Sequence, residues 1–309
     1  MSRLAIKGEI FLAKVDNFLG HLFIQYSTAE KTATQETSMA KKLNKDTQVC
    51  MSLAARPSNF GTRFHNYLYD ALDLDYLYKA FTTQNLEGAI QGIRALGIRG
   101  CAISMPFKEA CIPLVDEMDD SAQGIQAVNT IVNTNGHLKA YNTDYIAIRQ
   151  LLADYALDPN RVFALKGSGG MAKAAACALK DAGFSKGYIV ARNAVAGQAL
   201  AKLYGYQWCA TEAQCAADIL INATPLGMEG AQASQLSWAE DKIQAASTVF
   251  DMVALPAVTP LIHYAQELGK TVITGSEVFA IQAVEQFVLY TGIRPSAELF
   301  SQAAAWSRQ

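Results

Sequence analysis

Several residue patterns are missing from this chain of 309 residues, and each absence removes a class of function. Its six cysteines (Cys50, Cys101, Cys111, Cys177, Cys209 and Cys215) form no C-x-x-C pair. Several fall in apolar runs, so they read as reduced core or surface thiols in a reducing compartment, and a cytoplasmic location is expected. The four histidines, His21, His65, His137 and His263, lack ligand spacing, so no metal site is expected. No segment reaches the roughly 18 unbroken apolar residues that span a bilayer. The run from Phe11 to Tyr26 is interrupted by Lys14 and Asp16, with no convincing cleavage pattern after it. Charge is sparse too, at 17% of residues, with 26 basic against 28 acidic and a net of −2. Without a basic run, neither nucleic acid nor an anionic membrane is expected as the main partner, although a small basic pocket for an anion is allowed.

What is present is an apolar fraction of 51% on a length that favours two domains. Residues 1–42 differ from the rest, ending in a Thr/Lys/Glu-rich stretch without apolar periodicity; they read as an extension, with a separate functional arm as the alternative. From Val49 onward strands and helices alternate. Strands are expected at Val49–Leu53, Tyr76–Phe81 and Gly100–Met105, with helices at Phe64–Leu72 and Leu86–Leu96. That rhythm predicts a parallel sheet. Two strand-like runs then flank Asn135-Gly136, a strong signal for a tight hairpin. A second series starts at Val162, with strands near Tyr188, Ile219, Val249 and Thr271 separated by helices, the order of a doubly wound nucleotide-binding domain. Apolar helical segments, Val278–Tyr290 and Ala297–Trp306, follow the last strand. The fold class is therefore α/β.

Gly167-Ser168-Gly169-Gly170-Met171-Ala172 follows an apolar strand directly and opens an Ala-rich helix. Glycines let backbone pass close to a pyrophosphate, and free N–H groups at the helix start face its charge. Ala172 occupies the third-glycine position, which the pattern permits. The alternative is a turn that merely allows a tight strand-to-helix passage. Where an NAD site has an acidic residue after the second strand, this chain reads Val190-Ala191-Arg192-Asn193. An arginine there suits the 2′-phosphate of NADP, so NADP is favoured; a solvated surface arginine is the other reading.

Ser104-Met105-Pro106-Phe107-Lys108, Ala127-Val128-Asn129-Thr130 and Tyr141-Asn142-Thr143-Asp144 have no obvious structural duty. Taken with the glycine turn, they resemble the shikimate dehydrogenase family, whose runs read roughly V-T-x-P-x-K, A-V-N-T and N-T-D. Ile221 to Met228 resembles its N-A-T-x-x-G-M loop, and Asp251 with Pro256, Thr259, Pro260 and Leu261 its D-x-x-Y-x-P-x-x-T-P-L segment. Gly275 with Gln282-Ala283 resembles the closing helix. The ordered matches run from about Leu43 to Gly292.

The resemblance implies a substrate-binding catalytic domain over 43–143, with helices of 277–309 packing back on it, and a Rossmann NADP-binding domain over 144–276, with a cleft between them. It implies a Lys108/Asp144 catalytic dyad. Ser104, Asn129 and Gln282 would hold substrate hydroxyls. Gly167, Ser168, Gly169, Gly170, Met171, Ala172, Arg192, Asn193, Ala223, Thr224 and Gly275 would bind cofactor. The chemistry agrees, because oxidising a secondary alcohol needs a base within hydrogen-bond reach of the hydroxyl; which group holds the proton at each step stays open. The implied activity is NADP-dependent hydride transfer to or from a cyclic hydroxy acid, as with shikimate on the route to chorismate and the aromatic amino acids. The molecule would be a monomer or homodimer with a small-molecule partner.

Two departures fall on the carboxylate end of the ligand. The family's H-S-x-S-P run is replaced by Arg56-Pro57-Ser58-Asn59-Phe60-Gly61-Thr62-Arg63-Phe64-His65-Asn66, which leaves Ser58, Asn59 and Thr62 as donors and Arg56 or Arg63 as charge. Ala254 stands where the family has tyrosine. A hydroxy acid other than shikimate, such as quinate, is therefore an alternative substrate. A non-catalytic NADP-binding sensor is the rival from a different class, but such a protein would be free to lose Lys108 and Asp144.

Overall fold

Among the described residues the alternation of elements resolves into two six-stranded sheets. The structure, a computed structural model, describes residues 43–57 and 59–307, so the extension read at 1–42, the apolar stretch within it and Ser58 lie outside the described residues.

The first series runs β1 (Gln48–Leu53), α1 (Phe60–Ala71), β2 (Tyr76–Phe81), α2 (Leu86–Ala95), β3 (Gly100–Ile103), α3 (Phe107–Ala110), β4 (Glu117–Met118), α4 (Asp120–Gln123), β5 (Thr130–Thr134) and β6 (His137–Tyr141). The expected parallel sheet holds only in part. β2, β1 and β3 are parallel, but β5 runs antiparallel to β3, and the sheet order is β2-β1-β3-β5-β6-β4. The hairpin from β5 to β6 has a local cause: Asn135 and Gly136 take φ of 54° and 86°, the left-handed pair of a two-residue turn, and such a turn can join only antiparallel neighbours.

α5 (Thr143–Asp154) follows, a helix that the sequence reading does not contain. Asn142 caps it, its Oδ1 accepting from Tyr145 N at 3.0 Å while its Nδ2 donates to the Ala127 carbonyl at 2.9 Å.

The second series comprises β7 (Phe163–Lys166), α6 (Gly170–Asp181), β8 (Gly187–Val190), α7 (Ala194–Tyr204), β9 (Gln207–Cys209), β10 (Ile219–Asn222), α8 (Glu240–Ala245), β11 (Thr248–Asp251), α9 (Pro260–Glu267) and β12 (Thr271–Ile273). All its pairings are parallel, in the order β12-β11-β10-β7-β8-β9. Numbered from β7, this is the 3-2-1-4-5-6 order of the dinucleotide-binding fold, and the strand order reverses between β7 and β10, where ligands sit in such sheets. Ala172, Ala174, Ala175, Ala176 and Ala178 of α6 are fully buried, which lets the helix lie close to the sheet.

Two helices close the described chain, α10 (Gly275–Thr291) and α11 (Ala297–Ser307). Their Ala283, Phe287, Tyr290, Ala303 and Ala304 join Cys50, Phe64, Leu68, Tyr69, Tyr78 and Val132 in one buried cluster against the first sheet. The contact is close enough that a Cβ on Gly100 would come within 2.2 Å of the Tyr290 ring. Arg99 fastens the same point, its Nε donating to the Tyr290 carbonyl at 3.0 Å. All six cysteines are free and buried, so of the two readings, core or surface thiols, the structure shows the first.

Candidate active site

Lys108 stands on α3 just after β3, and Asp144 stands in the first turn of α5. The Lys108 Nζ lies 2.8 Å from Asp144 Oδ2, with side chains 27% and 10% exposed. The start of a helix suits a carboxylate, because unpaired N–H groups there favour negative charge. Lys108 is anchored through its backbone, whose carbonyl accepts from Val128 N at 2.8 Å.

Both side chains line a cavity of about 270 Å³ together with Ser104, Asn129 and Gln282. The polar groups are locked from behind. Asn129 Oδ1 accepts from Thr143 N at 2.8 Å and from Thr130 Oγ1 at 2.9 Å, which leaves its NH₂ group as the donor to offer. Gln286 Nε2 donates to Thr130 Oγ1 at 3.0 Å, and Thr143 Oγ1 donates to Gln282 Oε1 at 3.4 Å. Helix α10 is thereby stitched to the start of β5, next to Asn129, and to the helix that carries Asp144.

The wall also contains residues that the sequence reading does not single out as site residues: Ser52, Phe60, His65, Tyr78, Phe279 and Gln286. His65 is buried and stacked on Tyr78, with ring centroids 4.4 Å apart, and its Nδ1 has no partner among the described residues. Burial lowers its pKa to about 3, so the imidazole is neutral at neutral pH.

At the other sheet, Gly167 has φ +131°, and a Cβ there would stand 2.9 Å from the Ala223 carbonyl oxygen, so only glycine fits. Gly169 and Gly170 differ: added Cβ atoms would meet nothing within 4 Å among the described residues. Their lack of side chains serves no internal packing and leaves the start of α6 open. No side chain caps that helix, so its first N–H groups face outward. Ser168 and Met171 are half-buried beside them, whereas Ala172 is fully buried where helix meets sheet. Arg192 is exposed after β8 and has no ion-pair partner among the described residues, while Asn193 caps α7 by accepting from Ala196 N at 3.1 Å. Thr224 is held at the end of β10, with Oγ1 donating to Asn222 Oδ1 at 2.6 Å.

Gly275 has a packing duty, because a Cβ would lie 2.3 Å from the Val253 carbonyl group. Asp251 is fully buried, and that burial pushes its carboxyl above the usual range against hydrogen bonds from Thr259, Val253 and Asn222. It ties the loops after β10 and β11 together. Lys173, early in α6, lies 2.6 Å from Glu109 of α3, which joins the glycine-turn helix to the helix carrying Lys108. Among the described residues no cluster has the makings of a metal site, and no helix is long and apolar enough to cross a membrane.

A family model described as the shikimate dehydrogenase substrate binding domain matches residues 60–131. A shikimate dehydrogenase-like protein of Haemophilus influenzae is 57% identical over 267 residues, covering 86% of this chain and 98% of that one. A shikimate dehydrogenase (NADP(+)) of Streptococcus pyogenes serotype M49 is 35% identical over 278 residues, with 82% and 95% covered. The chain belongs to the shikimate dehydrogenase family. The solved structure of a shikimate 5-dehydrogenase-like protein agrees at a TM-score of 0.84 and 57% identity, over 87% of this chain and all of that one. The shikimate 5-dehydrogenase of Thermus thermophilus, in complex with NADP(H) and shikimate, agrees at 0.74 and 27% identity, over 84% and 99%.

Within this shikimate dehydrogenase family member, the divergent segment after β1 distributes its polar residues unevenly. Arg56 lines the cavity with Pro57, Phe60 and Gly61, whereas Asn59, Thr62 and Arg63 are absent from the lining. Asn59 precedes α1, and Thr62 and Arg63 fall on α1 itself, whose inward positions are taken by Phe64, His65, Leu68 and Tyr69. Asn59 and Thr62, expected as substrate donors, are thus not gathered with Lys108 and Asp144.

Proposed function

We propose that the protein is an NADP-dependent dehydrogenase of a cyclic hydroxy acid of the shikimate type, with Lys108 and Asp144 handling the hydroxyl proton. The observation that carries this reading is the 2.8 Å contact of Lys108 Nζ with Asp144 Oδ2 at the wall of a 270 Å³ cavity that also holds the amides of Asn129 and Gln282. A secondary alcohol placed there can pass its proton to a group within hydrogen-bond reach while the dyad keeps charge balanced. The amides of Asn129 and Gln282 orient the neighbouring hydroxyls, and their fixed partners make that orientation rigid.

Residues 167–172 fit a dinucleotide: an uncapped helix start, open space over Gly169 and Gly170, and Arg192 beside the turn supplying planar donors to a 2′-phosphate. NADP held there supplies the hydride acceptor or donor. On this reading residues 43–143 with helices of 277–309 bind the substrate and 144–276 bind the cofactor. The names of the Streptococcus and Thermus relatives, which specify NADP, support the same cofactor here. A related acid such as quinate is the second reading, favoured by the loss of the serine pair.

The test is steady-state reduction of NADP+ with shikimate, quinate and related cyclic hydroxy acids. Turnover by the wild type that Lys108→Ala abolishes, with NADP binding retained, supports the proposal. No turnover with any of these acids, or an undiminished rate in the variant, overturns it.

A further inference from the structure

Charge on the cavity wall is unbalanced. Three lining side chains are of charged type: Arg56, Lys108 and Asp144. Lys108 and Asp144 neutralise each other at 2.8 Å. His65 lines the wall uncharged, burial holding its pKa to about 3. Arg56 is left as the surplus positive charge, and no carboxylate pairs with it among the described residues. Its position is set by the backbone, since Ala55 N donates to the Met105 carbonyl at 3.1 Å and Ser104 N to the Leu53 carbonyl at 2.9 Å. The segment bearing Arg56 is thus laced to the one that leads into Lys108.

We infer that Arg56 is the specificity-determining residue for the substrate's carboxylate, so that the site takes a mono-anionic ring acid and excludes neutral analogues. The inference rests on the dehydrogenase reading for the identity of the ligand, but not for its physics. A guanidinium presents a planar fork that meets both carboxylate oxygens, and such charge-assisted pairs are about twice as strong as neutral hydrogen bonds. Hydroxyl donors in the same place would accept a carboxamide or ester nearly as well as an acid. A guanidinium would not, because it would be left facing a neutral group. Arg63, exposed like Arg56, does not share the role, because it lies off the cavity lining.

The test is calorimetric binding of shikimate and of its carboxamide to the wild type, Arg56→Gln, Arg56→Lys and Arg63→Gln. NADP+ affinity serves as the check that each variant is folded. The wild type is expected to prefer the acid. Arg56→Gln should weaken acid binding by about 10- to 100-fold, the range of a charge-assisted pair, and leave the carboxamide unchanged. Arg56→Lys should recover part of the loss, and Arg63→Gln should match the wild type. Acid affinity that survives in Arg56→Gln overturns the inference, as does a wild type that binds both ligands alike or neither. A wild type that discriminates through Arg56 yet never reduces NADP+ sinks the dehydrogenase reading and leaves this one standing.

Discussion

His65 should make the fold sensitive to acid in a way that a non-titrating ring abolishes. Its faces and edges meet Phe64, Tyr69, Tyr78, Phe287 and Tyr290, so no charged side chain stands among its ring neighbours to compensate a proton. Burial holds the folded-state pKa to about 3, against 6.5 for the free side chain. The folded value is the lower one, so the unfolded chain binds the proton first. Stability is therefore full above 6.5 and falls as pH drops from 6.5 toward 3. Each pH unit in that window costs about 1.4 kcal/mol, so moving from pH 7 to pH 5 removes about 2 kcal/mol. For a chain of this length that is a drop of about 3–4 °C in the thermal midpoint.

Replacing His65 by Phe keeps a flat ring against Tyr78 and deletes the titration, along with an Nδ1 that has no partner among the described residues. Melting curves of wild type and His65→Phe at pH 7, 6 and 5 should converge or favour the variant at neutral pH and separate progressively in its favour below it. Parallel losses in the two proteins over that range would refute the account, because the sensitivity would then belong to other groups.

Lys108→Ala should lower turnover by about 10²- to 10⁴-fold with NADP affinity intact, measured by kinetics alongside cofactor titration. Gly167→Ala should cost at least about 1–3 kcal/mol through its positive φ and the approach to the Ala223 carbonyl, visible as a lower melting temperature. Arg192→Ala should weaken NADP by about 10- to 100-fold while sparing NAD, read by titrating each dinucleotide. Gly100→Ala should cost about 1–3 kcal/mol by forcing the Tyr290 ring aside, measured by chemical denaturation.

What could be read from sequence was whatever is fixed by neighbours along the chain. The Asn135-Gly136 hairpin follows from two residues that tolerate positive φ, and the glycine turn from a strand, three glycines and an alanine in order. Helix α5 escaped because it is buried on several sides. Thr143, Asp144, Tyr145, Ala147, Ile148, Leu151 and Leu152 are all covered, which erases the single apolar stripe by which a surface helix is recognised. The sheet direction in the first series escaped because strand-helix rhythm does not say on which edge β5 will add. At the cavity, Lys108, Ser104, Asn129, Asp144 and Gln282 were reachable through their motifs. His65, Tyr78 and Phe279 come from separate elements and meet only in three dimensions. Asn59 and Thr62 illustrate the converse: nearness in sequence to Arg56 did not bring them to the wall, since Asn59 sits ahead of α1 and the phase of α1 turns Phe64, His65, Leu68 and Tyr69 inward rather than Thr62.

The return of α10 and α11 to the first sheet bears on how the molecule is made. Tyr76 Oη reaches the Tyr290 carbonyl across 214 positions, and the aromatic interior around Phe64 and Tyr78 lacks Phe287 and Tyr290 until those residues exist. Synthesis proceeds from the amino terminus, and domains generally fold as units during it. The β7 to β12 sheet is built from one continuous stretch and can consolidate on the ribosome. The buried cluster on the first sheet, by contrast, is complete only once the two closing helices, translated much later, have been added.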